Sequence, residues 1–190
     1  NSGVASRRKS DELISQGKVF VNGKVVSELG LQINEKKDKV MVEGKQIKLP
    51  SSFVYIKLNK PKGYACTAHD EKGRKTIYEL IDTDERLFSI GRLDYDTEGL
   101  ILLTNDGDFA NKVAHPKYAI EKEYRVTIEG QIKESELAVL RKGVVVDGER
   151  MPSAKVEFLS SDDKFTKLSV VIDEGQNRQI RRMFEAIGKS

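Results

Sequence analysis

The sequence predicts an α+β chain. A small basic module, residues 1–48, is joined by a linker at 49–52 to a larger module, residues 53–190, built on a mixed, mainly antiparallel sheet flanked by helices. Three observations predict it. β-Branched and apolar runs outnumber helical patterns, and several are separated only by turn residues, which join antiparallel strands but not parallel ones. Apolar runs such as Leu100-Ile101-Leu102-Leu103 recur at strand length, enough in 190 residues to build one or two cores. Charge is uneven: residues 1–50 hold 10 Lys/Arg against 6 Asp/Glu, whereas residues 51–190 hold 23 against 24. A basic appendage on a neutral body points to a polyanion partner, with a lysine-rich solvated face as the plain alternative.

In chain order, Ser6 caps a helix over residues 7–16, Leu13 and Ile14 face a core, and Gly17 stops it. Arg7, Arg8 and Lys9 then sit in the first turn, against the helix dipole, a local cost that suits cations serving an external anion. Asn22-Gly23 between β-branched runs marks a two-residue hairpin, and a second strand pair flanks Glu43-Gly44. Lys48-Leu49-Pro50-Ser51-Ser52 reads as the linker. Strands are then expected at 53–59, 87–90, 100–104, 123–129, 154–159 and 167–172, and helices at 76–81, 108–114, 134–142 and 177–187.

Several function classes are excluded on composition. No apolar stretch reaches the roughly 18–20 residues that cross a bilayer, and Asn1–Arg8 lacks the apolar centre of a signal peptide. One cysteine, Cys66, rules out a disulfide framework and fits a reducing cytoplasm. With only His69 and His115 beside it, a structural zinc site is not expected.

The densest polar cluster is Gly91-Arg92-Leu93-Asp94-Tyr95-Asp96-Thr97-Glu98-Gly99, between two apolar runs. Asp94, Asp96, Glu98 and Gly99 match the first half of a calcium loop, but the twelfth position is Asn105 rather than a bidentate glutamate. A glycosidase-type pair is disfavoured because alternation in an extended segment turns Asp94 and Asp96 to opposite sides. A single nucleophilic or proton-abstracting carboxylate, and a plain polar turn, both remain open.

Gly91-Arg92-Leu93-Asp94-x-x-Thr97-x-Gly99-Leu100 resembles the active-site motif of pseudouridine synthases of the RsuA-type family. Lys60-Pro61-Lys62-Gly63, His115-Pro116 with Lys122-Glu123-Tyr124-Arg125-Val126, and Glu174-Gly175-Gln176-Asn177-Arg178-Gln179-Ile180-Arg181-Arg182-Met183-Phe184 are similar to its other motifs, in family order. Residues 3–47 resemble an S4 domain, a small αL RNA-binding fold that this family carries N-terminally. Against the family pattern, the usual first S4 helix is not seen before Asn1, nor the usual last strand after Ser190.

The resemblance implies a role for each matching residue. Asp94 corresponds to the essential aspartate, Arg181 to the arginine that pairs with it, and Tyr124 to the active-site tyrosine, whose ring can stack on the displaced uracil. The reaction breaks the bond from ribose C1′ to uracil N1 and rejoins the base through C5, with no redox change, so no cofactor is expected. RNA contacts are expected from Arg7, Arg8 and Lys9 in the basic module, and from Lys60, Lys62, Arg92, Arg178 and Arg182. Asp96 and Glu98 are expected to face solvent, and Thr97 and Gly99 to shape the loop. The implied partner is ribosomal RNA, with no membrane, and the implied state is a cytoplasmic monomer. The segment Cys66–Thr76 is more similar to members acting on large-subunit (23S) RNA than on small-subunit (16S) RNA. The rivals are a 16S enzyme, a non-catalytic RNA-binding protein on the same scaffold, and a carbohydrate-active enzyme using Asp94 with Asp96 or Glu98. The last gives the basic module no role.

Overall fold

The computed structural model describes residues 4–34, 37–48, 52–146 and 148–190. The chain forms two compact units, Asn1–Asp108 and Phe109–Ser190. The expected linker lies, except for Lys48 and Ser52, outside the described residues.

In the first unit, α1 (Arg7–Ser15) starts where Ser6 Oγ accepts the Lys9 N–H at 3.3 Å. Leu13 is its buried residue, and Gly17 leaves the helix at φ +68°. The hairpin of β1 (Val19–Val21) and β2 (Lys24–Val26) turns on Asn22 and Gly23, both at positive φ, as a two-residue turn matched to strand twist requires. The Asn22 side chain also ties this turn to the next strand: its amide donates to Asp38 Oδ1 at 2.8 Å and its carbonyl accepts the Lys39 N–H at 2.9 Å. With β3 (Val40–Val42) and β4 (Lys45–Gln46) the sheet runs β2-β1-β3-β4, all antiparallel.

A second sheet of the same unit has the order β5 (Tyr55–Lys60), β7 (Gly99–Thr104), β6 (Phe88–Ile90), again antiparallel. Ile77, Leu87, Ile101 and Leu103 form its buried centre. The register sets Lys60, the last residue of β5, opposite Gly99, the first of β7, so both open onto the Gly91–Gly99 loop. The expected helix at 76–81 is a single 3-10 turn, Ile77–Leu80, which Glu79 closes by accepting the Thr76 N–H at 2.6 Å. One isolated parallel bridge, Ala65 to Thr76, makes the strand pairing mixed.

Helix α2 (Gly107–Ala114) contains the chain position, 108 to 109, at which the units divide. In the second, β8 (Lys122–Glu129), β11 (Lys155–Ser161) and β12 (Phe165–Ile172) form an antiparallel sheet of order β11-β12-β8. Helix α3 (Glu134–Lys142) adds Leu137 and Leu140 to a core with Leu168, Val170, Met183 and Phe184. Between them lies a short hairpin, β9 (Val145–Val146) and β10 (Glu149–Arg150), which strand patterning did not predict because each arm is only two residues long. Gly143, at φ +87°, is required there: a Cβ would stand 2.5 Å from the Met151 carbonyl oxygen. Helix α4 (Gln179–Glu185) is shorter than expected, because Arg178 takes a left-handed conformation, φ +49°, and cannot extend it.

Candidate active site

The Asp94 loop is built by its anchors. Leu93 packs on the core of the second sheet, and its N–H meets Cys66 Sγ at 3.4 Å. Asp94 follows, half-buried, and its carbonyl accepts the Thr97 N–H at 3.1 Å to close a tight turn. The Gly63 N–H holds the Tyr95 carbonyl at 2.8 Å. Arg92, Tyr95, Asp96 and Glu98 are exposed. Asp96 and Glu98 therefore stand where the sequence puts them, in solvent. Among the described residues no three His, Cys, Asp or Glu side chains gather closely enough to hold a metal ion.

The strongest anchor is Lys60. It was expected to touch RNA phosphates, but it is wholly buried, and its ammonium donates to the carbonyls of Thr97 at 2.6 Å, Pro61 at 3.0 Å and Tyr95 at 3.4 Å. Burial pushes its ammonium below the usual lysine range, an effect partly offset by the nearby Cys66, Asp96, Asp94 and Glu98. An ammonium enclosed by three carbonyls cannot reach a phosphate. It grips the turn on either side of Asp96 and fixes the backbone that carries Asp94. Its motif neighbour Lys62 is exposed.

In the second unit, Tyr124 lies on β8 opposite Val170, half-buried against the core that also contains Met183 and Phe184 of α4. Tyr124 and α4 thus rest on one packed cluster. Helix α4 buries Gln179, Met183 and Phe184, which leaves Arg181 and Arg182 half-buried at its flank. Arg178 is exposed, with Glu185 at 4.0 Å, and Arg182 has Glu149 at 3.9 Å. The turn before α4 is closed reciprocally: Gln179 Oε1 accepts the Gln176 N–H at 3.0 Å, and the Gln179 N–H donates to the Gln176 carbonyl at 3.2 Å. Sequence reading missed this glutamine, although its place at the head of α4, three residues after Gln176, has the spacing of a helix-start motif.

In the basic module Arg7, Arg8 and Lys9 are exposed on the first turn of α1, as expected, and Lys9 pairs with Glu12 at 2.8 Å. That ion pair raises the Lys9 ammonium above its usual value.

Comparison with known proteins shows the family. Residues 54–186 match the family model described as RNA pseudouridylate synthase, and residues 1–38 match that of the S4 domain. The chain is 47% identical over 191 residues to ribosomal large subunit pseudouridine synthase B of Bacillus subtilis, covering 99% of this chain and 78% of that protein. It is 41% identical to an uncharacterized RNA pseudouridine synthase of Aquifex aeolicus, covering 98% of this chain and 76% of the relative. A putative ribosomal large subunit pseudouridine synthase of Arabidopsis thaliana chloroplasts is 39% identical over 98% of this chain and 49% of its own length. A crystal structure of a pseudouridylate synthase superposes with a TM-score of 0.66 at 34% identity, covering 97% of this chain and 79% of that one. With its S4 domain in front and the matched motifs in order behind, this chain belongs to the RNA pseudouridylate synthase family, a family of isomerases.

Proposed function

We propose that the protein isomerises a specific uridine of large-subunit (23S) ribosomal RNA, with Asp94 as the catalytic carboxylate. The observation that carries this reading is a half-buried aspartate on a turn whose carbonyls are gripped by a buried ammonium. Such bracing keeps a carboxylate where a substrate atom will arrive. The names of the Bacillus and Arabidopsis relatives support the large subunit as the source of substrate.

The target uridine swings out of its stack, at a cost of a few kcal/mol. Asp94 then adds to the sugar or base, or takes a proton from the ribose, as the C1′–N1 bond breaks. The base turns and rejoins through C5 as Asp94 is released from its adduct or returns its proton; C5 then loses its proton and N1 gains one, so the isomerisation is proton-neutral. Tyr124 stacks on the detached uracil. Arg181 is the proposed partner of Asp94 in the reacting complex, a guanidinium that orients the carboxylate. Residues 1–48 hold RNA through Arg7, Arg8 and Lys9, and residues 53–190 carry the chemistry, with Lys62, Arg92, Arg178 and Arg182 contacting RNA around the site. The enzyme acts as a monomer and needs no cofactor. It works in the cytoplasm, although the chloroplastic relative shows that location varies in the family. Among the described residues no helix is long and apolar enough to cross a membrane.

Asp94→Asn tests the assignment. The variant is expected to lose isomerisation of a 23S transcript by at least about a thousandfold while its RNA affinity stays within a factor of two or so of wild type. Normal turnover by the variant would refute the role of Asp94. Conversion of 16S but not 23S transcripts by the wild type would move the substrate to the small subunit.

A further inference from the structure

Tyr95 directly follows Asp94, and the residue is 41% exposed. Its backbone is pinned, since the Tyr95 carbonyl accepts both the Gly63 N–H and the Lys60 ammonium. Over the ring lies the Arg74 guanidinium, 5.3 Å from the ring centroid. That guanidinium is itself held in place. Its Nη2 donates to Asp70 Oδ1 at 2.6 Å, and its Nε reaches Oδ2 at 3.1 Å and Oδ1 at 3.2 Å. The Asp70 side chain is only 6% exposed, and it also accepts the N–H groups of Arg74 at 2.9 Å and Lys72 at 3.1 Å. These bonds, led by the Arg74 side chain, hold the Asp70 carboxyl well below the usual carboxylate range.

A surface arginine normally loses much rotamer freedom on binding, and this one is already ordered. Its charge is largely offset by Asp70, so it makes a poor phosphate anchor. Its plane, fixed beside an exposed aromatic, is a good stacking surface for a base. The pattern repeats next to it: Lys75 Nζ lies 5.9 Å from the ring centroid of Tyr64, the residue after Gly63. Basic and aromatic side chains meet from three places in the chain, Tyr64, Arg74-Lys75 and Tyr95, as on surfaces that hold unpaired nucleotides.

We propose that Arg74 and Tyr95 form a stacking ledge for an RNA base next to the isomerised uridine. The ledge rests on the reading of Asp94 given above and adds a positioning site to it. Removing the uridine from its stack leaves its neighbours without a partner, and the ledge supplies one beside the reacting carboxylate.

The probe is a large-subunit ribosomal RNA fragment that the wild type isomerises, intact or with single abasic nucleotides flanking the modified uridine. Kd and the single-turnover rate at saturating RNA are measured for wild type, Arg74→Ala, Tyr95→Leu and Tyr95→Phe. Arg74→Ala and Tyr95→Leu are expected to raise Kd about tenfold, within the range that alanine substitution gives for base stacking. Saturated rates should stay within about twofold of wild type, the slope of log Kd against log salt should not change, and Tyr95→Phe should behave as wild type. One abasic position should cost the wild type about the same factor and cost Tyr95→Leu nothing further. An unchanged Kd with a slower saturated rate would overturn the ledge, because the ring would then only brace the Asp94 loop. A reduced salt slope in Arg74→Ala would overturn it in favour of a phosphate contact. An abasic penalty equal in wild type and Tyr95→Leu, or none in wild type at either flank, would also overturn it. The abasic arm on the wild type decides even where a variant fails to fold. If the wild type isomerises every fragment normally and only the ledge tests fail, the role of Asp94 stands; if it isomerises none, both fall.

Discussion

Two lysines, Lys9 and Lys60, are assigned the same task by the sequence and live in opposite surroundings. Lys9 stands in solvent on the first turn of α1, beside Arg7 and Arg8, with one exposed partner in Glu12. Lys60 ends β5 in a fully enclosed position and spends its three donors on backbone carbonyls. An exposed cation can hand its charge to a phosphate at little cost to the fold, because the ion pair it gives up is worth little in water. An enclosed one cannot leave without taking its hydrogen bonds from the buried carbonyls it holds. The basic module therefore keeps its cations exposed to solvent, as the proposed RNA contacts require, while the Asp94 loop uses one to hold itself still.

Substitution should separate the two regions sharply. Lys60→Met keeps most of the side-chain stem but takes the ammonium from the carbonyls of Thr97 and Pro61, and leaves that of Tyr95 with the Gly63 N–H. It should cost about 3 kcal/mol in urea unfolding and slow isomerisation at saturating RNA. An unfolding midpoint equal to wild type would show that the ammonium is not structural. Replacing Arg7, Arg8 and Lys9 together with Gln should leave the midpoint nearly unchanged. It should raise the RNA Kd about tenfold at low salt and lower the salt slope by about 2. An unchanged slope would mean that the module's cations are idle toward RNA. Lys9→Met alone should shift stability by less than about 0.5 kcal/mol.

A smaller effect belongs to Asp70, where the comparison can be sharpened with pH. Its carboxyl is held below the usual range by the Arg74 side chain and by backbone N–H groups. A depressed folded value means that its stabilising contribution is fully present above the ordinary carboxylate pKa, about 4, and is lost as pH falls through the lower folded value. Asp70→Asn should therefore reduce the drop in stability on acidification, seen as a shallower fall in thermal midpoint below about pH 4. A fall as steep as that of wild type would show that the carboxylate contributes nothing to the fold.

The readable parts of the fold were those governed by a few neighbouring residues. Ser6 caps α1 because its hydroxyl is placed to meet an N–H three residues on, and Asn22-Gly23 turns the hairpin because both accept positive φ. The strand runs of residues 53–190 announced antiparallel strands by composition, but not their division between two three-stranded sheets, which depends on pairings distant in sequence. The start of α4 was misjudged because nothing local reveals that Arg178 adopts a left-handed conformation. The β9–β10 hairpin was missed because two-residue arms carry no period, although Asp147-Gly148 in the sequence is itself a turn signal. At the site, the motif around Asp94 located the loop, but the fate of Lys60 depended on the pairing of Lys60 with Gly99 across two strands distant in sequence. The ordering of Arg74 by Asp70 needed the folded turn between them.

In the proposed function, a braced aspartate loop and a basic RNA-holding module together convert uridine to pseudouridine in large-subunit ribosomal RNA. The most direct measurement incubates the purified protein, with no added cofactor, with 23S and 16S transcripts and maps pseudouridine at nucleotide resolution. The account predicts conversion at one defined site in the 23S transcript and none in the 16S transcript. No pseudouridine in either RNA, or conversion that persists undiminished in Asp94→Asn, would contradict it.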